Sequence, residues 1–143
     1  MLTEFQIGFI PKENINEILP LVQMLNNYKI PVETLKRRLQ DMLMDGYQCL
    51  GAYDKDELIG ICGIWVLNKL YVGKHLEPDN VFVLPEYRSS GVGKLMLDRV
   101  LSYALEIGCN TSEINCYINN DKGIQFWDSQ GYKAIGYHMQ KVL

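Results

Sequence analysis

The chain has 143 residues, of which 48% are apolar and 22% charged, with a formal net charge of −3. That length suits one domain, Met1 to Leu143, able to bury a core of its own. The mildly acidic balance gives no global attraction to nucleic acid or to anionic membranes, and no window is apolar for long enough to span a bilayer.

At the N-terminus no basic start precedes a long apolar run, a pattern expected of a cytoplasmic protein without a signal peptide. "EFQIGFI", closed by Pro11, predicts a first strand. "ENINEILPLVQMLNN" carries Ile15, Ile18, Leu19, Val22 and Leu25 at helical spacing, with Pro20 arguing for a kink or an early break. "PVETLKRRLQDMLMDG" reads as a clearer helix: Pro31 suits its start, Leu35, Leu39, Met42 and Leu43 its buried face, and Gly46 its end. "YQCLGAY" and "LIGICGIWVL" flank the turn-like "DKDE" as two strands of a hairpin, and "KHLEPDNVFVL" gives the next strand. In "VGKLMLDRVLSYALEIG" a helix is predicted with Leu95, Met96, Val100, Leu101, Ala104 and Leu105 as its stripe and Gly108 as its stop. "SEINCYI" is strand-like, "NNDKGIQFWDSQG" a short capped helix, and "YKAIGYHMQKVL" a last strand or hairpin arm. The order β-α-α-β-β-β-α-β-α-β implies an α/β fold in which helices flank a mixed sheet, whose edge strands also suit a homodimer.

Cys49, Cys62, Cys109 and Cys116 form no CxxC pair and have no nearby His partner, which argues for buried reduced thiols and against a metal site. The most informative stretch is "VFVLPEYRSSGVGKLML", a strand that passes through a glycine- and serine-rich turn into a helix. The first N–H groups of a helix lack intrahelical acceptors and carry partial positive charge, so such a junction suits an anion. A P-loop is excluded, because Arg88 holds the place of its first glycine and Leu95 that of the Mg²⁺-binding hydroxyl. A dinucleotide fingerprint is excluded by Met96 at its third glycine. The plain alternative is a glycine turn with Ser90 as an ordinary helix cap.

What remains, Arg88-x-x-Gly91-x-Gly93, resembles the acetyl-CoA signature [Q/R]xxGx[G/A] of the GNAT superfamily of N-acetyltransferases. Downstream, "NDKGIQFWDSQGY" resembles that superfamily's "NxxAxxFYxxxGF" segment, with Asn120, Gly123, Phe126, Trp127, Gly131 and Tyr132 on its positions. The element order also agrees, so the resemblance covers essentially the whole chain. It implies a GNAT-like sheet of about six to seven strands with about four helices, and acetyl-CoA as co-substrate. It also implies that the turn holds the CoA pyrophosphate. Gly91 and Gly93 let the backbone approach, the N–H groups from Ser90 through Val92 to Lys94 point at the phosphates, and Arg88, Lys94, Ser89 and Ser90 add charge or hydroxyl donors. Phe82, Val83 and Leu84 would pair with the pantetheine arm, the Val83 N–H or its neighbour would polarise the thioester, and Asn120, Phe126 and Trp127 would contact the cofactor.

Amine acetylation needs a group to take the proton of an acceptor whose pKa is about 10.4. The resemblance places that group on the strand before the turn. Alternation there would put His75, Glu77, Asp79, Val81 and Val83 on one side. Glu77 and Asp79 are the candidate bases, Asp79 slightly ahead, with His75 third; each also suits a solvated strand edge. The chain departs from the pattern at Trp127, where the family usually has a tyrosine able to protonate the leaving thiolate. An indole N–H donates a hydrogen bond but is no practical acid. The expected activity is therefore acetyl transfer to a primary amine of a small molecule or peptide by direct attack in a ternary complex. The rival is a non-catalytic CoA- or acyl-CoA-binding regulatory module.

Overall fold

The structure, a computed structural model, describes residues 4–143. Its centre is built from chain neighbours. β2 (Gln48–Asp54) and β3 (Glu57–Lys69) turn back on each other at Lys55-Asp56, and β3 returns through residues 70–72 into β4 (Gly73–Val83). β1 (Gln6–Phe9) lies antiparallel on the far side of β2. After β4 the chain crosses over through α3 (Val92–Glu106), and β5 (Thr111–Ser112) therefore pairs with β4 in parallel, as a helical crossover requires. The sheet order is β1-β2-β3-β4-β5.

Each face of the sheet has its own core. On one face Leu50, Ala52, Ile59, Cys62, Ile64 and Leu76 pack against Val92, Met96, Val100 and Ala104 of α3, a stripe with helical spacing of four. Leu97 is buried too, whereas Leu95 is 47% and Leu105 77% exposed, so the buried stripe is rotated from the one expected. On the opposite face Tyr47, Cys49 and Ile61 pack under α1 (Leu19–Leu25) and α2 (Val32–Met44), which contribute Leu19, Leu21, Leu35 and Leu39. Pro20 ends a preceding 3-10 segment (Lys12–Ile18) and occupies the first turn of α1, where its missing N–H costs nothing. Gly46 and Gly108 close α2 and α3 with φ of +97° and +86°, left-handed values that glycine adopts freely.

The fold class is the expected one, with four α-helices, the last being α4 (Asp121–Ser129), but with five strands among the described residues rather than six or seven. Of the expected fifth strand, residues 112–118, only Ser112 pairs, with Thr111 before it joining β5, and residues 133–143 form no strand. Ile135, Tyr137 and Met139 alternate as a strand would, yet all are exposed, and among the described residues they pair with no strand. Cys49, Cys62 and Cys109 are buried free thiols and Cys116 is half-buried. No helix among the described residues is long and apolar enough to cross a membrane.

Candidate active site

β4 and β5 pair only at His75–Thr111 and Leu76–Ser112, and the last bond between them runs from the Glu113 N–H to the Leu76 carbonyl. From Glu77 to Val83 the outer edge of β4 has no strand beside it among the described residues. A cleft therefore opens at Glu77. Across from β4 lies the end of β5, whose Ser112 bonds the Tyr132 hydroxyl just after α4, and α4 meets the start of α3 where Phe126 faces Gly93.

β4 does not keep a constant phase along this edge. Ile61 faces Phe82 but Gly63 faces Asp79, so Asn80 and Val81 together oppose Cys62 in a β-bulge. Asn80 sits at φ +60°, a left-handed conformation that asparagine tolerates better than most residues. The extra residue reverses the alternation. His75, Glu77 and Asp79 belong to the α1–α2 face, but Val81 and Val83 pack with α3 on the other. The expected single row from His75 to Val83 is thus broken after Asp79, because alternation carries no warning of an inserted residue.

The two candidate carboxylates differ in their surroundings. Asp79 Oδ2 accepts a 2.9 Å hydrogen bond from the Trp65 indole N–H, and Trp65 in turn lies against the buried Tyr47 ring at 5.1 Å. Glu77 is the first residue past the β5 pairing, with its side chain 26% exposed, and Glu77 Oε1 lies 3.1 Å from His75 Nε2. His75 itself is fully buried, a hydrogen-bonded histidine and not a surface one, and its Nδ1 has no partner among the described residues. That geometry favours the tautomer in which Nε2–H donates to Glu77 and Nδ1 is a bare lone pair, the cheaper atom to leave unpaired. Glu113 joins the group: ligand atoms of His75, Glu77 and Glu113 lie within 4.8 Å of one another, and the Tyr71 hydroxyl donates to Glu113 at 2.5 Å. That bond raises the Tyr71 pKa, because ionising the phenol beside a carboxylate is unfavourable.

At the mouth, the Ser90 helix cap of the plain alternative is absent. Its hydroxyl instead donates to the Tyr87 carbonyl. The N-cap of α3 is Gly91, at φ +87°, with no side-chain cap bond, so the first N–H groups of a 15-residue helix stay open to an anion. Gly93 lies against α4: a Cβ there would stand 3.4 Å from the Phe126 ring, at van der Waals contact. Arg88 is tied back to β4, its Nε donating to the Val83 carbonyl at 2.9 Å and its guanidinium 5.0 Å from the centre of the Phe82 ring. The Leu84 N–H is committed to Ile59 of β3 at 2.8 Å, so by alternation the Val83 N–H faces the open edge. Lys94 forms an exposed ion pair with Asp98 at 2.6 Å, and Ser89 adopts φ +65°.

In α4, Asn120 is the N-cap, its Oδ1 accepting the Gly123 N–H at 3.0 Å. Trp127 lies edge-on between Phe126 and Tyr132, each ring 5.1 Å away, and the Tyr132 hydroxyl shares a 2.7 Å bond with Ser112 at the end of β5. Burial raises the Tyr132 pKa. Sequence reasoning named Glu77, Asp79 and the Arg88–Lys94 turn but not Tyr47, Trp65, Tyr71 and Glu113, which the fold brings beside the carboxylates. Only Trp65 had a usable signal, since hairpin register sets it directly across from Glu77.

The Acetyltransferase (GNAT) family profile matches residues 16–132, and the chain belongs to that family. It is therefore an acyltransferase, and the family's reaction moves an acetyl group from acetyl-CoA to an amine. It is 26% identical over 111 residues to the peptidyl-lysine N-acetyltransferase YjaB of Salmonella typhimurium, an alignment covering 78% of this chain and 65% of that protein, just under two thirds. It is 23% identical to the uncharacterized N-acetyltransferase YhdJ of Bacillus subtilis over 91% of this chain and 92% of that one. Aminoglycoside N-acetyltransferase AAC(6')-Iy, solved in complex with CoA, superposes with a TM-score of 0.84 over 98% of this chain and 95% of its own, at 16% identity.

Proposed function

We propose that this chain, as a single domain, acetylates a primary amine of a small molecule or peptide by direct attack within a ternary complex with acetyl-CoA. The observation that carries the proposal is the adjacency of three features. These are the uncapped start of α3 at Gly91, the unpaired β4 edge from Glu77 to Val83, and the carboxylates of Glu77 and Asp79 on the sheet face under α1 and α2. In this reading the N–H groups from Ser90 to Lys94 hold the pyrophosphate, with Arg88, Ser89 and Lys94 beside it. The pantetheine arm runs along Phe82, Val83 and Leu84, chiefly through the outward-facing Val83. Asn120, Phe126 and Trp127 close the cleft from α4.

The acceptor arrives mostly as an ammonium ion, and Glu77, nearest the opening, takes its proton, with Asp79 the second candidate. The amine lone pair attacks the thioester carbonyl carbon and the Val83 N–H stabilises the oxyanion. The C–S bond then breaks, the electron pair leaves on sulfur, and the second proton of the attacking nitrogen passes to water or to the departing thiolate. A CoA thiolate, with a conjugate-acid pKa of roughly 8.5, departs without a dedicated side-chain acid, so Trp127 is compatible with turnover. The names of the lysine- and aminoglycoside-modifying proteins support an amine acceptor in general terms.

The test is acetyl-CoA consumption with an amine panel of spermidine, Nα-blocked lysine and kanamycin, hydrolysis subtracted. Glu77→Gln should lower kcat by about 10²-fold with CoA affinity unchanged. If neither Glu77→Gln nor Asp79→Asn changes the rate, neither residue is the base. Trp127 in the tyrosine position favours the second reading, a regulatory CoA-binding module. That reading predicts saturable CoA binding with no turnover of any amine.

A further inference from the structure

We infer that Tyr47 is a positioning residue for acetyl transfer: its buried hydroxyl props the left-handed Asn80 and so fixes the β4 bulge on which the placement of Glu77, Asp79 and the Val83 N–H depends. The inference rests on the proposed function and adds a residue that lies outside the cleft's motifs. Tyr47 follows Gly46 at the end of α2 and leads into β2, and it is 1% exposed. Its Oη accepts the Asn80 Nδ2–H at 3.2 Å. A residue other than glycine keeps φ +60° only when its surroundings hold it there, and this bond is the hold the structure supplies.

Two further observations tie Tyr47 to the carboxylate side. Its ring lies 5.1 Å from that of Trp65, whose indole N–H holds Asp79 Oδ2 at 2.9 Å. A Cβ on Gly63, the residue facing Asp79, would overlap the Tyr47 hydroxyl and the Asp79 carbonyl, so glycine at 63 is what admits the tyrosine beneath the bulge. One side chain therefore sets both the backbone phase of β4 and, through Trp65, the orientation of a candidate base. If Asn80 relaxed to an extended conformation, the bulge would shift. Val83 would then exchange edges with its neighbours, and its N–H would no longer face the cleft.

Tyr47→Phe removes the hydroxyl and keeps the ring. With any amine the wild type acetylates, kcat should fall about ten-fold, the size expected when reacting groups shift by a fraction of an ångström. KM for acetyl-CoA should rise by less than kcat falls, because the α3 loop that holds the pyrophosphate is untouched although the pairing of the pantetheine arm with Val83 is disturbed. Asn80→Gly should keep near-wild-type kcat, since glycine needs no support at positive φ, and should restore most of the loss when added to Tyr47→Phe. An unchanged kcat in Tyr47→Phe, or no recovery in the double variant, overturns the inference. If the wild type acetylates no amine, the proposed function fails separately. The crystal structure of Tyr47→Phe then decides: a residue 80 still at positive φ with Ile61 still facing Phe82 overturns the inference, and a shifted register upholds it.

Discussion

The two sides of the cleft are built on opposite plans. The proposed anion side is one continuous run, Arg88 to Lys94, and would work through backbone N–H groups, two glycines and an uncapped helix. The carboxylate side is assembled from Tyr47, Trp65, Tyr71, Glu77, Asp79 and Glu113, drawn from four separate stretches of chain. Backbone recognition needs only a local conformation, so it can be written in a few consecutive residues. Side-chain recognition needs directions, and those come from register and packing across the sheet. The first side is also exposed, whereas the second stands over a dry interior of Tyr47, Cys49 and Ile61.

The contrast can be broken most severely at Gly63. Gly63→Ala forces its Cβ into Tyr47 and the backbone of Asp79, and should destabilise the fold by about 3 kcal/mol or more, read as a lowered urea midpoint. The opposite side answers to Gly91→Glu, which puts a side chain at φ +87° and a negative charge where the phosphates would lie. There CoA affinity by calorimetry should fall by about 10²-fold or more, about 2.7 kcal/mol, while the melting temperature without ligand moves far less. A CoA affinity within three-fold of wild type would remove the anion site from that loop.

A third measurement sharpens the difference between the dry and wet sides through pH. Burial raises the Cys49 thiol pKa to about 12 and raises that of Cys62 as well. Below an unfolded-state pKa of roughly 8.5 both states hold these protons and stability does not vary with pH on their account. Between there and about 12 the unfolded chain releases them and the folded chain does not, so stability falls as pH rises. The loss at pH 10 should be about 1 to 2 kcal/mol per thiol, followed by denaturation from pH 8 to 10, and Cys49→Ala should flatten the profile. An identical slope in that variant would refute the assignment to Cys49.

What the sequence disclosed follows the same division. The α3 junction was legible because its glycines, serines and cations are contiguous, and the helices because their periods are long. The face of Val81 and Val83 was misread because a bulge inserts one residue without changing the apolar pattern around it. The α3 stripe was placed a little off, since Leu95 and Leu105 satisfy helical spacing while the sheet takes Val92 and Leu97. Residues 133–143 alternate convincingly, but a strand is a property of two chain segments, and among the described residues theirs enters no ladder. Tyr71 and Glu113 are 42 positions apart, and nothing local announces that they meet.

The scant pairing of β4 with β5 also bears on how the molecule breathes. Two register pairs fasten β5, against nine between β3 and β4. Amide protons along this seam should therefore exchange with solvent through cheap local openings, long before those of the central hairpin, which wait for larger unfolding. The weakest join in the sheet coincides with the place where a long cofactor arm would have to enter.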